Sequence, residues 1–234
     1  MPTKPSQAET ADFTPGDIEH FTALLLSPNG VGAAAFVDRC RADGHEPEAI
    51  LLGLFGPAAV RLGHLWESDR CGFTQVTIAA SRLRELLRTR AVSFECNAHV
   101  WHHGRRALLA SAPGDQHTLG LFVVESFFRR DGWDVYGGQI DSGDEITHLV
   151  GRQWFAVAGF SLSSERFLDG LASLIRSVRR HSCNRDIGVL VGGAAFLQQP
   201  DLVGRVGADA FALDGRMAVS HARALLAHKP LRNQ

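Results

Sequence analysis

The sequence predicts a bundle of four helices followed by a doubly wound α/β domain built on a parallel sheet. Between residues 16 and 94 apolar side chains recur at the three- and four-residue spacing of amphipathic helices. A polar, histidine-rich stretch, residues 95–104, breaks that rhythm, and from residue 105 short apolar runs alternate with helical patterns five times.

Residues 1–15 are polar and rich in Pro and Thr, which leaves too little apolar surface to offset the cost of ordering, so a disordered tail is expected there. The first helix follows as IEHFTALLL, residues 18–26. The second is VGAAAFVDRCRADG, residues 31–44, where Gly44 supplies the left-handed residue that ends many helices. EAILLGLFGPAAVRLGHLWESD, residues 48–69, forms the third. A bend is expected at its Pro57, since proline removes an intrahelical hydrogen bond and crowds the preceding turn. On the fourth, FTQVTIAASRLRELLRTR at 73–90, Val76, Ala79, Ala80, Leu83, Leu86 and Leu87 share one face. Arg82, Arg84, Arg88 and Arg90 mostly point elsewhere, which suits a solvated face or an acidic partner.

In the second half the strands are RALLASA (106–112), WDVYGG (133–138), WFAVAGFS (154–161), DIGVLVGG (186–193) and ADAFAL (208–213). Helices are expected over 117–130, 145–150, 166–180, 200–206 and 217–227. Strands without polar alternation need cover on both faces, which crossover helices provide. Residues 105–234 therefore read as one Rossmann-like, flavodoxin-like domain, in which ligands bind beyond the C-terminal ends of the strands.

Bulk properties narrow the function. A formal net charge of −1 gives no global footprint for nucleic acid or an anionic membrane. Cys40, Cys71, Cys96 and Cys183 lie far apart, which excludes Cys-x-x-Cys zinc spacing and a disulfide scaffold. Cys71 and Cys96 fit buried structural thiols better than redox sensors. With no apolar leader and no uninterrupted apolar run of about 18 residues, a cytoplasmic protein is expected.

Three strand ends carry unusual residues. After the first, in APGDQHTLG, His117 has a ring nitrogen to offer a metal, with Asp115 placed to accept from the other nitrogen and Gly120 permitting close approach of a large planar ligand. Asp115 equally suits a plain helix cap, with His117 as an exposed first-turn residue. After the third come Ser161 and Ser163, hydrogen-bond donors or helix caps. After the fourth, Gly192 and Gly193 signal a turn or a group packed on the backbone.

Asp115-x-His117-x-x-Gly120, Ser161 and Gly192-Gly193-Ala194, in this order, resemble the cobalamin-binding domain of methionine synthase and its relatives. The resemblance implies that His117 is the lower axial ligand of cobalt and Asp115 its tuning partner. It also implies that Ser161, Gly192 and Gly193 line the groove for the displaced dimethylbenzimidazole tail. The chain departs from the family's Ser-x-Leu in having Ser161-Leu162-Ser163, which adds Ser163 to the residues at the groove.

The helical half is similar to the bundle that covers the upper face in cobalamin photoreceptors of the CarH type. Trp66 takes the tryptophan position, and Val76 and Thr77 stand where those proteins have a Glu-His pair. Trp66 also fits ordinary bundle core. The run Trp66-Glu67-Ser68-Asp69, Phe73 to Ala79 and Arg82 to Arg88 looks like the AerR/PpaA group of photosynthesis regulators, cobalamin-binding antirepressors.

What the resemblance implies is a sensor rather than an enzyme, acting on photosynthesis genes through a DNA-binding repressor of the CrtJ/PpsR kind. No helix-turn-helix precedes the bundle, so direct sequence-specific DNA binding is not expected, and neither is a membrane partner. Val76 and Thr77 suit a small upper ligand, which favours hydroxocobalamin over the adenosyl form. Two alternatives share the layout: a corrinoid shuttle protein for methyl transfer, and a haem-binding sensor. His99, His102 and His103 flank Trp101 as solvated linker residues or as replacement axial ligands, and His64, two positions before Trp66, does not share its helix face.

Overall fold

The computed structural model describes residues 13–91, 104–116, 118–137 and 142–227. Two compact units divide the chain, Met1–Ala91 and Val92–Gln234.

Helix α1, Pro15–Leu26, begins inside the stretch expected to be a tail. Thr14 and Asp17 form a reciprocal capping box: the Thr14 hydroxyl accepts from the Asp17 N–H, and the Asp17 carboxylate accepts from the Thr14 N–H at 2.9 Å. The Thr14 hydroxyl, which also donates to the Asp17 carboxylate at 2.6 Å, and then the Thr14 N–H hold the Asp17 carboxyl below its ordinary range. Helix α2, Ala33–Ala42, ends two residues before Gly44, which has φ 93°.

The third helix is where expectation and structure part. In place of a proline bend there is a short helix α3, Pro47–Ile50, a π-helical turn over Leu51–Phe55, and helix α4, Gly56–Glu67. The Gly56 N–H donates to the Leu51 carbonyl, five residues back. A wider turn leaves room for the Pro57 ring, which in a regular α-helix would meet the carbonyl four residues earlier. The run Pro47–Trp66 is long and apolar enough by composition to cross a membrane. Its Ile50, Leu51, Leu54, Phe55, Ala58 and Leu62 are buried, and Arg61 pairs with Glu19 of α1, as in the central helix of a packed bundle.

Helix α5, Phe73–Ala91, buries Ala79, Leu83, Leu86 and Leu87 as its periodicity predicts. Its arginines are not a free stripe. Arg82 donates to the carbonyls of Leu25 (2.8 Å), Ser27 (2.5 Å) and Pro28 (2.9 Å), closing the C-terminal end of α1 where carbonyls lack helical partners. Gly30, at φ 58°, leaves space for that guanidinium: a Cβ there would lie 2.7 Å from Arg82 Nε. Arg88 pairs with Glu85, and Arg90 pairs with Asp38 of α2, lowering the Asp38 carboxyl pKa.

The second unit is a five-stranded, wholly parallel sheet in the order β2-β1-β3-β4-β5. Its strands are β1 Arg106–Ser111, β2 Asp134–Tyr136, β3 Val157–Ser161, β4 Gly188–Gly192 and β5 Ala210–Ala212. The crossovers are α6 Leu119–Arg130, α7 Gly143–Arg152, α8 Leu168–His181, the short pair α9 Ala194–Gln198 and α10 Leu202–Val206, and α11 Gly215–Ala227. Helix α9 was not expected: five residues are too few to show a helical period.

Leu108, Ala110, Ala158, Phe160, Val189 and Val191 pack with α7, α8, α9 and α10 on one face of the sheet, and α6 and α11 lie together on the other. Away from the strand ends that matter below, Asp131 gathers Arg223, Arg105 and the Trp133 indole N–H, fastening the last helix to the start of β1. The order 2-1-3-4-5 reverses direction between β1 and β3, and a crevice opens at the C-terminal ends of strands at such a reversal.

Replacing Arg82 with alanine removes three charge-assisted bonds to the end of α1. The N-terminal unit should lose about 2 kcal/mol, read as a lower denaturant midpoint of its far-UV transition; an unchanged midpoint would contradict the capping role.

Candidate functional site

The three loops singled out in the sequence meet at the β1/β3 reversal, tied one to the next. The Ala112 N–H, just past β1, donates to the Ser161 carbonyl at 2.8 Å, and the Leu162 N–H, just past β3, donates to the Gly192 carbonyl at 2.9 Å. The Ala195 N–H, in the first turn of α9 after β4, donates to the Leu162 carbonyl at 3.2 Å.

At the centre lies Asp115, 5% exposed. Its Oδ2 accepts from the Ser163 N–H at 2.7 Å and its Oδ1 from the Ser163 hydroxyl at 2.8 Å. Burying a carboxylate is costly unless strong donors meet it, and two donors from one residue do so here. The bonds cross from the loop after β1 to the loop after β3, so Asp115 is a fixed interloop acceptor and not simply a cap. The N-cap of α6 is Thr118, without a side-chain capping bond. Nor do the serines cap: α8 is preceded by a 3-10 turn, Glu165–Phe167, whose N-cap Ser164 likewise makes no side-chain capping bond.

Two neighbours brace this node that sequence reasoning did not single out. A Cβ on Gly114, the residue before Asp115, would lie 3.3 Å from the Phe167 ring, over which the Arg166 guanidinium sits at 4.4 Å. Ser111 pairs with Ser161 across the last register of β1 and β3. Gly114 is marked in sequence only by standing next to Asp115, and Ser111 by nothing until its register with Ser161 is known.

Gly193 owes its identity to the loop crossing. It has φ 104°, a conformation that favours glycine, and a Cβ there would lie 2.5 Å from the Leu162 carbonyl oxygen. Gly192 is pressed in the same way, with the Ala212 carbonyl 3.0 Å from its Cβ position. Gly120, in the first turn of α6, has open space at its Cβ position.

The structure thus brings Asp115, Ser161, Ser163, Gly192 and Gly193 to one rim. His117 lies outside the described residues, as do Cys96, His99, Trp101, His102 and His103. Among the described residues no group of three or more His, Cys, Asp or Glu could hold a bare metal ion. In the N-terminal unit Trp66 is 39% exposed on α4, with Val76 half-buried and Thr77 exposed on α5. The Thr77 hydroxyl donates to the Phe73 carbonyl at 2.8 Å, and Phe73 itself is 69% exposed.

Comparison with known proteins agrees in both halves. A B12 binding domain profile matches residues 105–223, and a second B12 binding domain profile matches residues 18–90. The chain belongs to the B12-binding family. The B12-binding assignment agrees with the resemblance to AerR/PpaA-type regulators.

The chain is 32% identical over 163 residues, 70% of its length and 84% of the relative's, to an uncharacterized 20.5 kDa protein in the bchF-crtJ intergenic region of Rhodobacter capsulatus. Among solved structures, the monomethylamine corrinoid protein of Methanosarcina barkeri superposes with a TM-score of 0.72 over 92% of this chain and 99% of that one. At 15% identity that likeness shows the fold.

Substituting alanine at Gly193 forces a Cβ into the Leu162 backbone at positive φ. A loss of about 1–3 kcal/mol from the α/β unit is expected, visible as a lower midpoint without any ligand; equal stability would mean that the two loops do not need their close approach.

Proposed function

We propose that the chain is a cobalamin-binding, light-responsive regulator that acts through a DNA-binding repressor of photosynthesis genes. Support for the lower face comes from Asp115, buried and fixed in place by both donors of Ser163. An imidazole N–H at position 117 is the donor that a B12-binding chain supplies there. Accepting it makes the other ring nitrogen more basic and fixes its tautomer, as carboxylates do for metal-bound histidines. Cobalamin, when bound, supplies an upper position whose occupant light can change.

For the upper face, Trp66, Val76 and Thr77 lie within the region matched by the second B12 binding domain profile. Val76 and Thr77 stand in place of the Glu-His pair and supply no imidazole, so a small upper ligand such as water or hydroxide suits the site. On this basis hydroxocobalamin is the preferred form. A change of upper ligand shifts the protein only as far as the two states differ in affinity for it, which is how a bound pigment reports light to a partner.

The regulatory role is favoured by the relative in the bchF-crtJ intergenic region, a name that places it beside photosynthesis genes. A corrinoid carrier for methyl transfer is the second reading, favoured by the fold shared with the monomethylamine corrinoid protein. Methyl turnover with a partner methyltransferase separates the two, and a visible spectrum separates a corrinoid from a haem.

The full chain, incubated with hydroxocobalamin, should retain it through gel filtration, and His117→Ala should reduce retention and shift the visible bands. Tighter binding of adenosylcobalamin in darkness would overturn the preference for the hydroxo form, and repressor capture indifferent to pigment and light would overturn the regulatory role.

A further inference from the structure

One register row crosses the sheet at its C-terminal rim: Ser111 lies opposite Ser161, Ser161 opposite Gly192, and Gly192 opposite Ala212. Residues in register on neighbouring parallel strands project to the same face. For this row that face is the one covered by α6 and α11. Gly188, four residues before Gly192 on β4, directs its Cβ position at Leu225 of α11, at 3.1 Å. The alternate positions, Leu108, Ala110, Ala158, Phe160, Val189 and Val191, belong to the opposite core.

Two rows differ in what fills them. One step deeper, the space beside Gly159 is taken by a Leu109 methyl group, 2.6 Å from the Cβ position. The rim row itself carries only serine, glycine and alanine, and both serines are half-buried. Among the described residues neither the Ser111 nor the Ser161 hydroxyl makes a hydrogen bond, whereas the Ser163 hydroxyl is spent on Asp115. Half-buried hydroxyls side by side, above a floor closed by leucine, are positioned to meet a polar group that enters from the rim.

We infer that Ser111 is a second hydroxyl contact, beside Ser161, for the nucleotide tail of the bound corrinoid. The inference rests on the cobalamin reading above and adds a residue that sets preference for a complete cobalamin over one without its tail. The tail carries a ring nitrogen, ribose hydroxyls and phosphate oxygens, all able to pair with a serine hydroxyl. A corrinoid without the tail carries none of these groups and would gain nothing from either serine.

The test titrates hydroxocobalamin and aquocobinamide, which lacks the nucleotide tail, into the full-length wild type, Ser111→Ala and Ser161→Ala, following visible absorbance. The wild type should prefer the cobalamin. Ser111→Ala should weaken cobalamin binding by about 3- to 10-fold, the range for one neutral hydrogen bond, and leave cobinamide binding as it was. Ser111→Cys, which keeps the volume but offers only a weak thiol donor, should show the same loss and serves if the alanine variant folds poorly. If the wild type prefers cobalamin and both Ser111 variants keep that preference in full, or weaken the two ligands equally, the inference is wrong and the cobalamin reading stands. Equal binding of both ligands by the wild type also removes the inference alone. Uptake of neither removes the cobalamin reading with it.

Discussion

The arrangement at the rim depends on one residue meeting one carboxylate twice. Ser163 gives both its backbone N–H and its hydroxyl to Asp115, at 2.7 and 2.8 Å, across 48 residues of sequence. A buried carboxylate that lost those donors would draw in water or a proton, so the two loops are held together by the cost of separating them. The acceptor held in this way stands two positions before His117 in the chain.

The rest of the second unit serves the same end by subtraction. Parallel strands place their C-terminal ends in one row, and in this row the chain has serine, serine, glycine and alanine. Bulk is reserved for the layers beneath, where Phe160, Val189 and Val191 build the core. Charge is handled with similar economy. Arg82, Arg88, Arg90, Arg179 and Arg223 each hold a carbonyl or a carboxylate of the same chain, so a chain of near-zero net charge spends much of its basic surface on its own architecture.

Much of this was legible in the sequence because strands buried on both faces cannot alternate. RALLAS, VAGFS and GVLVG stand out as apolar runs, and their order with the intervening helices leads directly to the parallel sheet. Edges were less legible. The run WDVYGG yields only the three-residue β2, and α6 starts at Leu119 instead of at the histidine. Arg82 reads as one of four solvated arginines until α1 is placed beside it. Asp115 reads as a cap until the loop after β3 arrives, since no local pattern announces a partner so distant in sequence. Motif residues could be identified, but Ser111 carries no motif of its own and becomes notable only through its register with Ser161.

The π-helical turn at Leu51–Phe55 has an effect that reaches beyond the proline it accommodates. A π turn holds one residue more than an α turn spans, so everything after it is rotated by roughly 100° relative to an unbroken helix. Ile50, Leu54, Ala58 and Leu62, spaced by four throughout, stay on the buried side because of that offset. The same offset sets the azimuth of Trp66 at the far end of α4, leaving part of its ring in solvent. The azimuth of the tryptophan is therefore set eleven residues upstream of it, by the spacing of a backbone ladder.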